Sequence, residues 1–209
     1  MLWAVADGMG GHGHGDLAAD LVIDALARMP HGDAGRADLL AALGEAHADV
    51  RERAQADGLG EIGATVVALM LHGPLGLLAW AGDSRGYLLR GRGLTPLTRD
   101  HSVVQELIDR GSLSATEAAR HPHSNIVTRA IGAGPAVTPD FAEVVVEPGD
   151  QLLLCSDGLT RCLADAEMAT LLAGAPDPES ACVALVEATL RRGAPDNVSV
   201  VVIHAARPA

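Results

Sequence analysis

GATVVALMLHGPLGLLAWAGDSRGYLL, the stretch from Gly63 to Leu89, is three apolar runs separated by two short breaks. Ala64 to Leu71 and Leu75 to Ala81 have strand length, and His72-Gly73-Pro74 between them is turn chemistry. Gly82-Asp83-Ser84 leads into a third run, Arg85 to Leu89, so the spacing predicts a meander of short strands. Upstream, Leu2 to Ala6 reads as a buried strand that ends in an Asp7-Gly8 turn. Two helices separate it from Gly63. In the first, Ala18, Leu21, Val22, Ala25 and Leu26 recur at helical spacing and Pro30 stops the run. The second spans Arg36 to Ala56, with Leu39, Leu40, Leu43, Ala46 and Val50 on one stripe.

Downstream, His101 to Arg110 reads as a helix, and Ser114 to Arg120 as a shorter one with Ser114 as its cap. Phe141 to Val146 and Gln151 to Cys155 are expected to pair as a hairpin around Glu147-Pro148-Gly149-Asp150. Two helices follow, Asp165 to Leu172 and Pro178 to Arg192, the second with Asp177 as N-cap and Pro178 as first helical residue. Asn197 to His204 is a closing strand. Runs of strands with helices between them predict an α+β domain, a packed β-sandwich flanked by helices. No repeat, linker or composition break divides residues 1–209, so one domain is expected. Aromatic residues make up 2% of the chain, which leaves the core to aliphatic side chains.

The formal charge of −12 argues against nucleic acid, which requires a basic footprint. It would also repel a phosphorylated substrate unless bound divalent cations inverted the local sign. No apolar run reaches the roughly 18 residues of a membrane span, and no signal peptide is visible at the N-terminus, so the cytoplasm is the expected compartment with no membrane partner. Cys155, Cys162 and Cys182 lack CxxC spacing and read as small core side chains rather than a zinc site or disulfides.

Four acidic turns recur at strand ends: Asp7-Gly8, Asp83-Ser84, Asp157-Gly158 and Asp196-Asn197. Any one of them is ordinary turn chemistry. Carboxylates converging from several strands repel one another unless a cation neutralises them, and oxygen-only ligation suits magnesium, manganese or calcium.

The segment Ala4-Val-Ala-Asp-Gly-Met-Gly-Gly-His12 resembles the first metal motif of the type-2C, metal-dependent (PPM) protein serine/threonine phosphatases. Gly63-Ala-Thr65, Ala81-Gly-Asp-Ser-Arg-Gly-Tyr87, Leu97-Thr-Arg-Asp-His-Ser102, Leu154-Cys-Ser-Asp-Gly-Leu159 and Pro195-Asp-Asn-Val-Ser199 follow in that family's order. His121 to Gly132 is similar to the flap region of the bacterial branch. The resemblance implies a four-layer α-β-β-α sandwich of two antiparallel sheets. It also implies two divalent cations, Mn2+ or Mg2+, with a third, weaker one in bacterial members. By that resemblance Asp7 bridges the two metals, the Gly8 carbonyl faces the second, and Asp157 and Asp196 complete the first. Asp83 matches the third-metal aspartate, and His12 is the candidate general acid for the leaving alkoxide, although solvated histidines are ordinary in so glycine-rich a turn. His121 and His123 read as loop residues, Arg85 as one side of a salt bridge rather than a phosphate contact within its reach, and Thr65 and Asn197 as supports that orient the acidic groups.

The same resemblance implies phosphoserine and phosphothreonine proteins as substrates, a cognate serine/threonine kinase to oppose, and a monomer. It places two further strands before Leu2, carrying a phosphate-gripping arginine and an acidic ligand of the second metal, so the chain is expected to be N-terminally truncated. Arg161 is a second departure, because an acidic residue often follows Ser-Asp-Gly-Leu-Thr in the family. These departures keep a second function in view, a pseudophosphatase that binds without turnover. A sporulation-type regulatory phosphatase shares the fold, but the Gly-Asp-Ser-Arg and Asp-His-Ser motifs favour the kinase-opposing branch.

Overall fold

A computed structural model describes residues 1–10, 13–30, 32, 34–118 and 121–206. The chain runs β1 (Leu2–Gly10), α1 (Gly15–Ala27), α2 (Arg36–Asp57), β2 (Ile62–His72), β3 (Leu75–Ala81), β4 (Arg85–Arg90) and β5 (Gly93–Pro96). It continues through α3 (Val103–Asp109), α4 (Ala115–Ala118), β6 (Asp140–Val145), β7 (Gln151–Cys155), α5 (Asp157–Thr160), α6 (Asp165–Gly174), α7 (Pro178–Leu190) and β8 (Val200–His204). The strands form two antiparallel four-stranded sheets, ordered β1-β2-β3-β6 and β5-β4-β7-β8. Helices α1 and α2 cover one sheet and α6 and α7 the other, which gives the four layers expected. No helix among the described residues is long and apolar enough to cross a membrane.

The apolar runs are continuous because each central strand is covered on both faces, so polar alternation has no place in them. Along β2, Val66, Ala68 and Met70 face the helices, packing on Val22, Leu39 and Leu43. Val67 and Leu69 point the other way, into the layer between the sheets, where Leu78, Leu152 and Leu154 meet them. Along β7 the same period puts Leu153 and Cys155 against Met168, Leu172 and Leu185 of α6 and α7. Helix α7 starts where Asp177 accepts from the Ser180 N–H at 2.7 Å, the cap its sequence predicts.

Three expected turns prove to be something else. Asp7-Gly8 does not end the first strand: β1 pairs with β2 through Asp7↔Thr65 and on to Gly10↔Ile62. The expected meander breaks after β3, because Gly82-Asp83-Ser84 carries the chain from one sheet to the other. Gly82 turns there at φ +116, and a Cβ on it would lie 2.4 Å from Cβ of Thr65. Likewise Phe141–Val146 and Gln151–Cys155 are not a hairpin, since β6 pairs with β3 and β7 with β4 and β8. Arg90 stabilises this second crossing. It donates to both carboxylate oxygens of buried Asp150 at 3.0 and 2.7 Å and to the Val145 carbonyl at 2.8 Å. Strand β5 is an element the sequence reading missed. Its Gly93–Pro96 span is too short to show a period.

Candidate metal centre

The crossing after β3, the far half of β1, the end of β7 and the loop before β8 bring the four acidic motifs to one edge of the sandwich. Asp7 sits in β1 directly opposite Thr65, whose hydroxyl is 2.7 Å from that of Ser84. Both hydroxyls are buried, so β2 and the crossover carrying Asp83 are joined beside the carboxylates. Gly8 follows, and its backbone lies against the start of α1. A Cβ on Gly8 would fall 1.9 Å from the Gly15 oxygen, which only a glycine pair allows.

Asp157 leaves β7 as the first residue of the short helix α5, where a simple turn is the sequence expectation. Its neighbour Gly158 packs on the loop that carries Asp196, with a Cβ position 2.1 Å from the Asn197 oxygen. Ser156 locks the same contact. Its hydroxyl donates to the Asn197 carbonyl at 3.2 Å and accepts from the Ser199 N–H at 3.0 Å, and its own N–H donates to the Ser199 carbonyl at 3.0 Å. Asp157 and Asp196 therefore share one backbone frame, although 39 residues separate them in the chain. Gly158→Ala is expected to push the Asp196 loop away, because the obstacle is a backbone carbonyl and not a flexible side chain. The cost should be about 1–3 kcal/mol, measured by denaturant unfolding, with a parallel loss of metal affinity.

The electrostatics record the convergence. Burial, then the charges of Asp157 and Asp196, raise the Asp7 carboxyl from 3.8 to about 6, with Arg161 acting in the opposite sense. Burial, then Asp157 and Asp100, raise Asp83 to about 7. Asp157 is raised too, first by burial, while Arg161 holds it down and Asp196 and Asp100 push it up. Asp157 is thus the shared neighbour of the group. In the metal-free protein Asp7 and Asp83 bind their protons more tightly folded than unfolded. Their contribution to stability is full below 3.8 and is lost as pH rises through about 6 and about 7. The melting temperature of chelator-treated protein should decline across that window, and Asp83→Asn should flatten the upper part of the decline.

One cation already stands among these carboxylates. Arg161 pairs through Nη2 with Asp157 Oδ2 at 2.5 Å and through Nη1 with Asp196 Oδ2 at 3.3 Å. The other oxygen of Asp157, Oδ1, is buried and without a hydrogen-bond partner. Among the described residues no three His, Cys, Asp or Glu side chains stand at metal-holding distance. The donor set still fits a hard divalent cation. It is all oxygen, and it includes one buried carboxylate oxygen that no donor satisfies.

A cleft of about 570 Å³ opens beside the group, between Asp83, Asp157 and Arg161 on one wall and Ser102, Ser124 and Asn125 on the other. A larger one, about 670 Å³, lies along α2 near Gly132 and Gly134 and includes none of the four aspartates.

Arg85 grips Asp100 with two hydrogen bonds, 2.8 and 2.7 Å, the ion pair expected of it. His121 and His123 pack edge-on against each other in a loop. The Asn197 N–H donates to Asp196 at 2.9 Å. His12 and the helix end at Arg120 lie outside the described residues. All three cysteines are free, and burial pushes the Cys155 thiol up to about 12, so it offers no thiolate. Sequence reasoning passed over Ser156 and His101. His101 clips the Asp83 crossover by accepting from the Gly82 N–H at 3.2 Å while its own backbone N–H donates to the Gly82 carbonyl at 2.9 Å. The Asp-His-Ser motif is the signal that could have found it.

With this geometry in place, the chain was compared with known proteins. The family model for protein phosphatase 2C matches residues 1–199. The serine/threonine protein phosphatase PstP of Mycobacterium tuberculosis is 41% identical over 96% of this chain, which spans 40% of that relative's length. The crystal structure of the M. tuberculosis serine/threonine phosphatase PstP/Ppp superposes with a TM-score of 0.92 at 37% identity, covering 99% of this chain and 88% of that one. A catalytic domain of PstP in complex with two manganese ions superposes with a TM-score of 0.87 at 36% identity, covering 96% and 86%.

Proposed function

Because the chain belongs to the protein phosphatase 2C family, we propose that it is a metal-dependent phosphatase that hydrolyses phosphoserine and phosphothreonine on proteins. The observation that carries this reading is the acidic group itself: Asp7, Asp157 and Asp196 coupled in charge, with a buried Asp157 oxygen left without a donor. In this reading Asp7, Asp157 and Asp196 hold Mn2+ or Mg2+, the Gly8 carbonyl adds an oxygen, and Asp83 serves a weaker third site. Divalent cations bound there lower the pKa of water and offset phosphoryl charge, so no cysteine nucleophile is required. Ser156 and the Thr65–Ser84 pair keep the carboxylates in place, and the cleft beside Asp83 and Asp157 admits the phosphorylated side chain. His12 is the proposed donor of the proton to the leaving alkoxide. A bacterial serine/threonine kinase is the proposed opposing activity, met in the cytoplasm by a monomer.

The test is phosphate release from a phosphothreonine peptide by the full natural protein, with manganese and with chelator. Saturable, manganese-dependent release is expected. Intact peptide at saturating manganese sinks the reading. One observation favours a second function, binding of a phosphoprotein without turnover: the Arg161 guanidinium already pairs with Asp157 and Asp196. Metal-independent capture of the peptide, with no phosphate released, is the result that reading requires.

A further inference from the structure

We propose that Arg161 is a built-in counter-ion that holds Asp157 and Asp196 in the metal-free protein and must give them up when a divalent cation binds. This residue would then set the metal affinity of the centre. The inference rests on the metal-dependent reading above and concerns a side chain that reading does not use.

Geometry is the first support. Arg161 lies four residues after Asp157, at the C-terminal end of α5, so its side chain reaches back over the turn to that carboxylate. The planar fork of a guanidinium spans two acceptors in a fixed geometry, where an ammonium is a compact point charge. Here it takes one oxygen from Asp157 at 2.5 Å and one from Asp196 at 3.3 Å, a residue on a different loop. Its side chain is 31% exposed and that of Asp157 13%, so the pair is shielded more than a surface ion pair.

Charge is the second support. Among the described residues Arg161 is the cation that pairs with both Asp157 and Asp196. One positive charge against several carboxylates leaves the site short of neutral, and it leaves Asp157 Oδ1 without a donor. A divalent cation brings twice the charge and can use that oxygen, and drawing in Asp196 as well sets it against the guanidinium that spans the two carboxylates. The displaced side chain has somewhere to go, because Arg161 lines the open cleft beside Ser102 and Asn125.

The experiment is a manganese titration by calorimetry, with the melting temperature of chelator-treated protein, for the parent, Arg161→Gln and Arg161→Lys. In Arg161→Gln the metal-free protein should melt lower, because the carboxylates have lost their counter-ion. Manganese should bind at least tenfold tighter, because nothing has to be displaced. Arg161→Lys keeps the charge and loses the fixed fork that spans both carboxylates, so its affinity should fall between the two. It also carries the test if the Gln variant does not fold without metal. Affinities within twofold of the parent in both variants, with an unchanged metal-free melting temperature, overturn the proposal and leave the phosphatase reading standing. Absence of manganese binding in the parent and both variants overturns the two together. Binding that appears only in the variants supports the counter-ion role.

Discussion

Asp157→Asn is expected to lower the manganese-dependent kcat/KM for a phosphothreonine peptide on the order of 10³-fold or more, at about 1.4 kcal/mol per factor of ten. The substitution keeps shape and removes charge. It weakens the grip on metal at the one carboxylate that couples to Asp7 and Asp83 and pairs with the residue that reaches Asp196. The fold should persist, since Asp157 stands at the start of α5 and its backbone frame is set by Ser156. Far-ultraviolet circular dichroism and the melting curve check that separation. Asp83→Asn should cost much less activity, because the role proposed for that residue is at the weaker site. Equal losses for the two would mean that the roles assigned to them are wrong.

Leu154→Ala is expected to destabilise the protein by about 3–5 kcal/mol, the range for a large side chain removed from a core that cannot collapse around the gap. Leu154 is fully buried between the sheets, among Val67, Leu78 and Leu152, with strands on both sides. A domain of this size should melt roughly 10 °C lower as a result. Thermal unfolding checks it, with Val183→Ala as the comparison: Val183 is 52% exposed on α7, and its truncation should leave the melting temperature within about a degree. Leu154 also lies three residues before Asp157, so its loss should loosen metal binding even where the protein still folds.

Much of the sandwich could be read from the chain because both faces of β2 and β7 are buried, and such strands appear as unbroken runs of Val, Leu and Met. The helices showed themselves by spacing, and the start of α7 by Asp177 and Pro178. What the chain concealed was which sheet each strand joins. Gly82-Asp83-Ser84 and Glu147 to Asp150 have hairpin chemistry, yet both cross between sheets. The choice depends on partners far away: Thr65 beneath Gly82, and Arg90 on Asp150. Asp7-Gly8 has turn chemistry as well, but its backbone pairs with Thr65 and Ala64 and remains a strand.

The candidate site divides along the same line. Its acidic residues were visible as short motifs in order. Their supports were not, because Ser156 reaches Asn197 and Ser199 more than forty positions on. Arg161 was visible as a departure from the motif pattern, and only the three-dimensional structure shows it holding two of the carboxylates together.

The most direct test of a metal centre at this edge of the sandwich is anomalous scattering from crystals of the protein grown with manganese. The account predicts two peaks among Asp7, Gly8, Asp157 and Asp196, with the Arg161 guanidinium turned away from both carboxylates. Manganese absent from these four residues, with Arg161 still paired to Asp157 and Asp196, would contradict it.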